Sequence, residues 1–466
     1  MQIPILSGIF ADGSPNFRTS YPKNMIPVPK GTGISEGYLR PGEGIVETGT
    51  GPGVNRGGIN WNGSIYRVMG TKLVEIAQDN TVTEIGDVGG TTRVTFDYGF
   101  TYLAIASNNN LFLYDGATLT QVTDPDLGTV LDVVWVDGYY MTTDGEFLVV
   151  TDLDDPFAVN PLKYGSSEAD PDPVKALLKL RNEVYALNRH TIEVFDNVGS
   201  TGFPFQRITG AQIQKGTVGT HANCVFMDNI AFLGGGFNEA PSIYMGANGS
   251  AQKIATREIE EILQEYTEAE LATAFLEERV DKAHTFLIVH LPRHTLVFDG
   301  AGSQATSQAV WFTLSSTLVG NGIWNACTCI WAYDRWNVCH PTTNQFGYLD
   351  DTVSTHWGET IGWEFGTLIV YNNGQGAIFH DIELVSLTGS TAFGVDPTIW
   401  TQYSNDGVTW SAEKPIRAGK TGERNKRLMW LQQGHMRNMR MQRFRGTSDA
   451  HVAVAALEAR VEPLAF

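Results

Sequence analysis

The stretch YLAIASNNNLFLYDG (102–116) shows the pattern that decides the fold. An apolar run leads into three asparagines, a second apolar run follows, and an aromatic residue and an acid precede a glycine. Asn, Asp and Gly between two apolar runs are typical of a β-hairpin, because these residues adopt turn conformations at low cost. The stretch therefore predicts two antiparallel strands joined by a tight turn.

The same arrangement recurs along the chain. The seven copies are YRVMGTKLVEI (66–76), YLAIASNNNLFLYDG (102–116), VVWVDGYYMTTDGEFLVVTDLDD (133–155), LLKLRNEVYALNRHTIEVFDNVG (177–199), VFMDNIAFLGGG with SIYMG (225–246), TFLIVHLPRHTLVFDG (285–300) and IWAYDRWNVCH with FGYLD (330–350). Their closing strands begin 38, 36, 45, 50, 54 and 50 residues apart, from Leu73 to Phe346. This is the spacing of β-propeller blades.

A closed ring of blades also solves a physical problem of small sheets. Each sheet has two faces to cover and two open edges, and radial packing covers the faces and shortens the exposed edges. We therefore predict an all-β chain with a β-propeller of about seven blades. A β-sandwich or an irregular β-solenoid is the alternative.

The composition agrees with many short strands. The 466 residues are 42% hydrophobic, 11% aromatic and 18% charged, and they include 50 glycines. This balance suits strands joined by tight turns and does not suit a helical bundle. The length predicts two domains.

Two regions flank the predicted propeller, which we place at residues 61–352. Residues 1–60 are rich in Gly, Pro, Asn and Ser, and we interpret them as an extended N-terminal arm that wraps another surface. Residues 353–466 contain longer strands without the blade pattern, and they predict a C-terminal antiparallel β-sandwich-like domain.

One segment, ATREIEEILQEYTEAELATAFLEERV (255–280), predicts a short helical insert at about 256–279. Thr256 is placed to cap a first helix, and Thr267 with Glu270 fits the capping box of a second. The residues predicted on the inward faces are Ile259, Ile262, Leu263 and Tyr266, followed by Leu271 and Phe275. We favour packing of the insert on its own blade over packing on a neighbouring copy.

Charge is distributed unevenly along the chain. The net charge of −19 argues against a general nucleic-acid binder, because phosphate contacts need Lys and Arg. Between Lys414 and Arg445, however, ten Lys or Arg residues stand against one Glu. The candidate interface residues in this stretch are Arg424, Lys426, Arg427, Arg437, Arg440, Arg443 and Arg445.

The segment RNMRMQRFR (437–445) alternates basic and apolar residues, which predicts a half-exposed strand with a basic outer face. It either contacts DNA or meets an acidic protein surface. We favour an acidic surface of a neighbouring copy, because complementary charge fixes register in assemblies. A merely solvated face is equally consistent with the pattern.

Motifs that could carry catalysis are weak. SNDGVTW (404–410) resembles the Asp-box of sialidase propellers, but it occurs once, lies outside the repeats and is one residue short of the usual spacing. Asp406-Gly407 is sufficiently explained as a hairpin turn. His290 and His294 flank Pro292 in a hairpin-like segment, so the spacing of a helical His pair does not apply. We predict no catalytic residue.

Three cysteines and a histidine lie close together in sequence. Cys327 and Cys329 are expected to share a strand face through the period of two, with Cys339 and His340 nearby. This spacing is not that of a common structural zinc site, and buried free cysteines usually act as small apolar residues. We expect no metal and no cofactor.

We expect no segment that directs the chain out of the cytoplasm. The first residues, MQIPILSGIFADGSPNF, lack a basic start and a long apolar core, so we expect no secretory signal. No run of 18 apolar residues predicts a membrane span, and four cysteines do not form a disulfide framework. We expect folding in a reducing cytoplasm.

Several segments resemble one protein family. TREIEEIL with YTEAELATAFLEE, IVHLPRHTLVFDG (288–300), VVTDLDDP (149–156) and the N-terminal phrase SYPKNMIPVP with GYLRPGEGI look like the packaged-DNA stabilisation proteins of short-tailed Salmonella-type bacteriophages. These are also called tail hub or nozzle proteins. The resemblance runs through most of the chain and is weakest in the C-terminal domain.

The resemblance implies a structural role in the virion tail, after synthesis in the host cytoplasm. The copies would form a hexameric ring below the portal and its adaptor ring, close the exit channel with a tail needle or plug, and support tailspikes or fibres. DNA would pass through the lumen without sequence-specific binding, and acidic walls would let it slide. A propeller glycosidase and a carbohydrate-binding module are the alternative functions.

Overall fold

The computed structural model describes residues 1–11, 16–29, 37–153 and 155–464. Seven sheets of four or five strands form a ring, and two further sheets share a separate core. The predicted propeller of seven blades with a C-terminal sandwich is confirmed. Each of the seven sequence copies forms one blade.

The N-terminal strands belong to both domains. They are β1 (Gln2–Ile3), β2 (Gly8–Ala11), β3 (Phe17–Ser20), β4 (Met25–Val28), β5 (Tyr38–Pro41) and β6 (Gly44–Thr50). Strands β1, β4 and β5 pair within one sandwich sheet, β2 and β3 form a hairpin, and β6 enters the propeller.

The first four blades have four antiparallel strands each, in chain order or its reverse. They are β7 (Asn55–Trp61), β8 (Ser64–Met69), β9 (Lys72–Ile76) and β10 (Val82–Asp87); β11 (Thr95–Tyr98), β12 (Leu103–Ser107), β13 (Asn110–Tyr114) and β14 (Leu119–Gln121); β15 (Asp132–Val136), β16 (Tyr139–Thr143), β17 (Phe147–Thr151) and β18 (Val159–Ser166); and β19 (Val174–Leu180), β20 (Glu183–Asn188), β21 (Ile192–Asn197) and β22 (Phe205–Arg207).

The remaining three blades include the helices. Their elements are β23 (Gly216–Thr217), β24 (Asn223–Phe226), β25 (Asn229–Gly235), β26 (Ser242–Ala247) and β27 (Ser250–Lys253); α1 (Arg257–Gln264) and α2 (Glu268–Leu271); β28 (Phe275–Asp281), β29 (His284–His290), β30 (Thr295–Asp299), α3 (Gly300–Thr306) and β31 (Val310–Leu314); and β32 (Cys327–Ala332), β33 (Arg335–Cys339) and β34 (Gln345–Asp350).

The ring is closed by the N-terminal side of the chain. Strand β6 pairs with β34, with Tyr348 opposite Val46, and so supplies the fourth strand of blade 7. Blade 1 then begins with β7 at Asn55. Residues 44–61 therefore lie in propeller sheets, although the sequence assigned all but the last of them to the arm. An isolated short strand such as GIVETGT carries no hairpin signal because its partner is distant in sequence.

The propeller core consists of seven hydrophobic clusters, one between each pair of neighbouring blades. Alternate residues of one strand contribute to different clusters: Val133 packs toward blade 2 and Val134 toward blade 4. Because both faces of the middle strands of a blade are buried, those strands are apolar runs without alternation, as in Leu103–Ser107. The turns use left-handed residues, for example Asn108 (φ 51°) and Asn109 (φ 61°).

Buried carboxylates connect the innermost strands of neighbouring blades. Asp97 Oδ2 of β11 accepts from Trp135 N at 2.6 Å, and Asp132 Oδ2 of β15 accepts from Leu177 N at 2.7 Å. Glu277 Oε2 of β28 likewise accepts from Cys329 N at 2.8 Å. These bonds satisfy backbone N–H groups that no ladder reaches, because adjacent blades belong to separate sheets.

The buried carboxyl group of Asp132 makes the free energy of unfolding depend on pH. Burial raises its pKa from 3.8 to about 7, and the nearby Asp97 carboxyl acts in the same direction. The proton is bound more tightly in the folded chain, so this group's stabilising contribution is full below pH 4 and is lost as pH rises toward 7. Across that range the free energy of unfolding should fall by about 4 kcal/mol through this group.

We expect Asp132→Asn to flatten the pH dependence of stability between pH 4 and 7, measured by urea unfolding at several pH values. The amide keeps an acceptor for Leu177 N but has no proton to lose. Asp115→Asn is the control, because backbone hydrogen bonds lower the pKa of that exposed carboxyl. An unchanged slope in Asp132→Asn would contradict the assignment.

The helical insert packs on blades 5 and 6 of its own chain, as the sequence favoured. Ile259 and Leu263 of α1 are buried in the cluster between these blades. The predicted capping box is present, with Glu270 N donating to Thr267 Oγ1 at 3.3 Å. Thr256 occupies the N-cap position of α1, but its hydroxyl bonds Tyr21 of the arm and not the first turn.

The second helix is shorter than predicted. It ends at Leu271, and Phe275 begins β28 instead of packing inside the helix. The Phe275 ring lies flat on His290 of β29, with the ring centroids 4.1 Å apart. The prediction of helix as far as residue 279 is therefore wrong, because this segment pairs with β29 over its whole length as the inner strand of blade 6.

The sandwich has two sheets around one core. Its own strands are β35 (Gly362–Gly366), β36 (Val370–Tyr371), β37 (Ala377–Leu387), β38 (Thr398–Ser404), β39 (Lys414–Arg417), β40 (Leu428–Met436), β41 (Met439–Thr447) and β42 (Ala453–Pro463). One sheet has the order β4-β5-β42-β37-β40 with β1 on β42, and the other has β35-β41-β38-β39 with β36 on β41.

The N-terminal arm wraps the sandwich of its own chain. Ile3, Ile5, Met25 and Leu39 are buried in the sandwich core. Asn24 ties the two domains together, since its Nδ2 donates to Ser315 O at 2.7 Å and to Gly362 O at 2.8 Å. The described part of the arm thus acts within the chain.

Candidate interface on the sandwich domain

The predicted basic residues lie in two places on the sandwich. Arg424, Lys426 and Arg427 belong to the loop that precedes β40, and Arg437 lies in the turn between β40 and β41. Arg440, Arg443 and Arg445 are on β41. The structure therefore separates the seven residues into a loop group of three and a strand group of four, the latter including Arg437 in the turn that leads into β41.

Four of the basic residues have carboxylate partners within the chain, and the longest of these pairs joins Lys426 Nζ to Glu423 Oε2 at 3.7 Å. Arg427 Nε lies 2.7 Å from Glu383 Oε1, Arg443 Nη1 lies 3.3 Å from Glu364 Oε1, and Arg445 is bidentate on Glu413 at 2.6 Å. The hydrogen bonds from Arg445 lower the pKa of Glu413 below its ordinary value. These pairs reduce the charge that the strand group presents to a partner.

Arg440 does not reach the surface, so its prediction as an interface residue on the basic outer face of β41 is wrong. Its side chain is 1% exposed, and its guanidinium lies 4.4 Å above the Phe379 ring and 3.9 Å from the Tyr403 ring centroid. Nη1 donates to Gln433 O at 2.7 Å. Because side chains alternate between the two faces of a strand, residues 440 and 444 both point inward. The basic character of the sequence did not indicate this.

The loop group belongs to an exposed protrusion, which we call the sandwich tip and define as residues 388–397 and 418–427. The two loops are joined by hydrogen bonds, including Gly422 N to Gly389 O at 3.1 Å. Phe393 at this tip is 98% exposed. Lys420 and Arg424 are exposed, and no carboxylate in the described ranges lies within ion-pair distance of either.

The charge of the chain is separated between its domains. Residues 61–354 contain 16 Lys and Arg against 36 Asp and Glu, whereas residues 355–466 contain 11 of each. The acidic excess therefore lies in the propeller. The tip offers cations around an exposed aromatic ring, a composition typical of protein interfaces.

The segment that resembles an Asp-box is a structural turn. Asp406 Oδ1 accepts from Val408 N at 2.9 Å and from Thr409 N at 2.7 Å, and these bonds lower its pKa to about 2. Gly407 O accepts from Ala11 N of the arm at 3.1 Å. The turn thus docks the β2–β3 hairpin on the sandwich.

The cysteines do not share a face. Thr328 has a φ of 55° within a bulge, so Cys327 packs between blades 7 and 1 while Cys329 lies toward blade 6. The expectation that Cys327 and Cys329 point the same way is therefore wrong. Cys339 lies opposite Cys327, and burial raises its pKa to about 12.

The histidines also have structural roles. His290 Nε2 lies 2.7 Å from Glu277 Oε1, and His294 Nδ1 lies 2.6 Å from the Tyr266 hydroxyl, on either side of the predicted hairpin turn. His340 contacts Thr342 in its own turn. In the described part of the chain no three His, Cys, Asp or Glu residues are grouped so that they could hold a metal ion.

The helices are too short and too polar to cross a membrane in any of the described ranges. Sequence reasoning missed the tip as a unit, because its two loops are 20 or more residues apart. A sequence signal was available in Phe393, a large aromatic residue that stands between Ala392 and Gly394 outside any strand pattern.

The fold is a two-domain scaffold, in which strand β6 closes the propeller and the N-terminal arm joins it to the β-sandwich. Two family models match these two domains in chain order. The model described as bacteriophage P22 Gp10, β-propeller, covers residues 1–354. The model described as bacteriophage P22 Gp10, β-sandwich, covers residues 362–462. The chain belongs to the bacteriophage P22 Gp10 family, which confirms the resemblance seen in the sequence.

Individual relatives agree with this assignment. The tail hub protein gp10 of Salmonella phage P22 is 28% identical over 483 residues, which cover 99% of each chain. Among solved structures, the WD40 domain of Pan2 from Neurospora crassa aligns with a TM-score of 0.42 and 10% identity, over 66% of this chain and 94% of that one. PorZ of Porphyromonas gingivalis aligns with a TM-score of 0.41 and 11% identity, over 79% and 46%.

Proposed function

We propose that this chain is a structural tail hub, or nozzle, of a podovirus virion. The observation that carries the proposal is the match of both domains, in order and over nearly the whole chain, to a tail hub protein. The copies form a hexameric ring below the portal and adaptor, retain packaged DNA, and leave a channel for its ejection. A tail needle or plug and tailspikes or fibres are the further partners.

The geometry supports a role as a scaffold without catalysis. The motif that resembled a glycosidase signature is a turn that holds the arm, and the histidines are engaged in hairpin and inter-blade contacts. The cavity on the propeller axis is about 280 Å³, too small for a nucleic-acid duplex. The genome path is therefore formed between copies.

The ring contact that we propose joins the sandwich tip of one copy to the acidic propeller of the next. The tip supplies Lys420, Arg424 and the exposed Phe393, and the propeller supplies the excess of carboxylates. Complementary charge steers the encounter and fixes the register, and an aromatic ring at the centre of a contact contributes most of the affinity.

Electron microscopy of purified virions and of the chain mixed with its adaptor tests the function. A ring of six copies at the tail, labelled by a Fab fragment against this chain, is the expected result. Absence of the label from virions, or a chain that stays monomeric on the adaptor, would overturn the proposal. Turnover of glycans by the purified chain would favour the enzyme instead.

Charge reversal at the tip tests the contact itself. We expect Arg424→Glu combined with Lys420→Glu to weaken ring assembly by tenfold or more in mass photometry, because like charges across an interface repel. Arg460→Glu, at an exposed position on β42 of the same domain, is the control. Equal assembly of all variants would contradict the tip contact.

A further inference from the structure

The propeller axis opens into two cavities on the face that carries the connections between blades. Their volumes are about 420 and 490 Å³, and Arg93 lines both. We call this region the axial mouth. Its lining includes Arg56, Arg93, Asn108, His221, Thr273 and Phe275.

The axial mouth lacks acidic residues in an otherwise acidic domain. No Asp or Glu among the described residues lines either cavity, although carboxylates outnumber cationic groups 36 to 16 between residues 61 and 354. Two guanidinium groups and several neutral donors line it instead. Such a lining favours a negatively charged ligand.

The positively charged side chain of Arg56 is held at this mouth by hydrogen bonds to neutral acceptors. Its side chain donates to Thr92 O at 2.5 Å, to Gly70 O at 2.9 Å, to Gly89 O at 2.6 Å and to Ser107 Oγ at 2.9 Å. In the part of the chain described, no carboxylate lies within 4.0 Å of it. Its charge is fixed in place without an ion-pair partner.

Arg93 is the more accessible of the two. Its guanidinium lies 3.5 Å from the centroid of the Phe275 ring, and Nη2 is 3.3 Å from Thr328 Oγ1. The other side of the Phe275 ring is covered by His290. The carboxylate deeper in the channel, Glu277, is already bonded to His290 and to Cys329 N. Arg93 is therefore oriented by stacking on Phe275, while Glu277, which lines the adjoining axial cavity, acts on its charge without an ion pair at contact distance.

We propose that the axial mouth binds an oxyanion, a carboxylate or phosphate group, between Arg93 and Arg56. A planar guanidinium that is held flat on an aromatic ring offers its edge to two oxygens of one group. The cavities are larger than an ion, so the ligand carries the oxyanion on a larger body. Asn108 and Thr273 are the neutral groups at the rim.

Titration calorimetry of the full chain tests the site with two probes, inorganic phosphate and N-acetylglutamate. Saturable binding of either probe at one site per chain supports the proposal, and the preferred probe identifies the source of the oxyanion. We expect Arg93→Gln to weaken that binding at least tenfold and Arg460→Gln to leave it unchanged. Absence of saturable binding, or equal binding by Arg93→Gln, would overturn it.

A second variant tests the site independently, in case Arg93→Gln does not fold. Thr273 is exposed at the rim, so Thr273→Glu places a competing carboxylate there without removing a core contact. We expect this variant to lose binding and to unfold at the wild-type temperature. Burial and the nearby Arg93 lower the pKa of His221 to about 3, so the His221 ring is neutral from pH 5.5 to 8 and adds no positive charge to the mouth. Thr273→Glu binding as wild type would contradict the site.

Discussion

Deletion of residues 1–50 is expected to abolish cooperative folding of the whole chain. Among its described residues, the segment buries seven hydrophobic side chains in the two domains: Ile3, Ile5, Met25, Ile26, Val28, Leu39 and Ile45. Their burial contributes on the order of 10 kcal/mol, which is comparable to the entire free energy of unfolding of a typical domain, about 5–15 kcal/mol. The loss should be visible as the absence of a sharp thermal transition in circular dichroism and as rapid digestion by protease.

A point variant separates ring closure from the contacts with the sandwich. A Cβ at Gly347 of β34 would lie 2.0 Å from Val46 O of β6, so Gly347→Val prevents β6 from pairing. We expect a loss of about 3 kcal/mol or more, the upper range for overpacking. Gly202→Val is the control, because the nearest atom to its Cβ is 4.0 Å away. Identical melting of the two variants would show that β6 does not close the ring.

The blades could be predicted from sequence because each one repeats a local signal. Both faces of the middle strands of a blade are buried, so those strands are apolar. The tight turns between them use residues that tolerate a left-handed conformation, as Asn108 and Asn109 do. The closing strand β6 could not be found in this way. Its partner β34 follows nearly 300 residues later, and pairing at that distance leaves no local pattern.

The interface was harder to predict because residue type does not report burial. The sequence of β41 suggested one basic surface, but the alternation of side chains places Arg440 inward. Arg443 and Arg445 form ion pairs with Glu364 and Glu413. Likewise, Cys327 and Cys329 were expected on one face of the strand, but the left-handed conformation of Thr328 between them turns them to different sides. In each case a partner from a distant segment decided the role of the side chain.

Arg440→Met should therefore act on stability and not on assembly. Methionine approximates the volume but leaves Gln433 O and Gln442 Oε1 without their donor, and an unsatisfied buried acceptor costs about 1–3 kcal/mol. Loss of the stacking on Phe379 and Tyr403 adds to this cost. We expect the free energy of unfolding to fall by about 2–5 kcal/mol in urea titrations.

Arg437→Met is the matched control, because the same substitution is made three residues earlier at an exposed position. Its effect on unfolding should stay within about 0.5 kcal/mol, as for most surface changes. Burial lowers the pKa of Arg440 to about 10, so its charge, and the difference between the two variants, should persist from pH 5 to 8. Equal and small losses in both variants would mean that the Arg440 side chain faces solvent and is free to meet a partner, contrary to the packing between Phe379 and Tyr403.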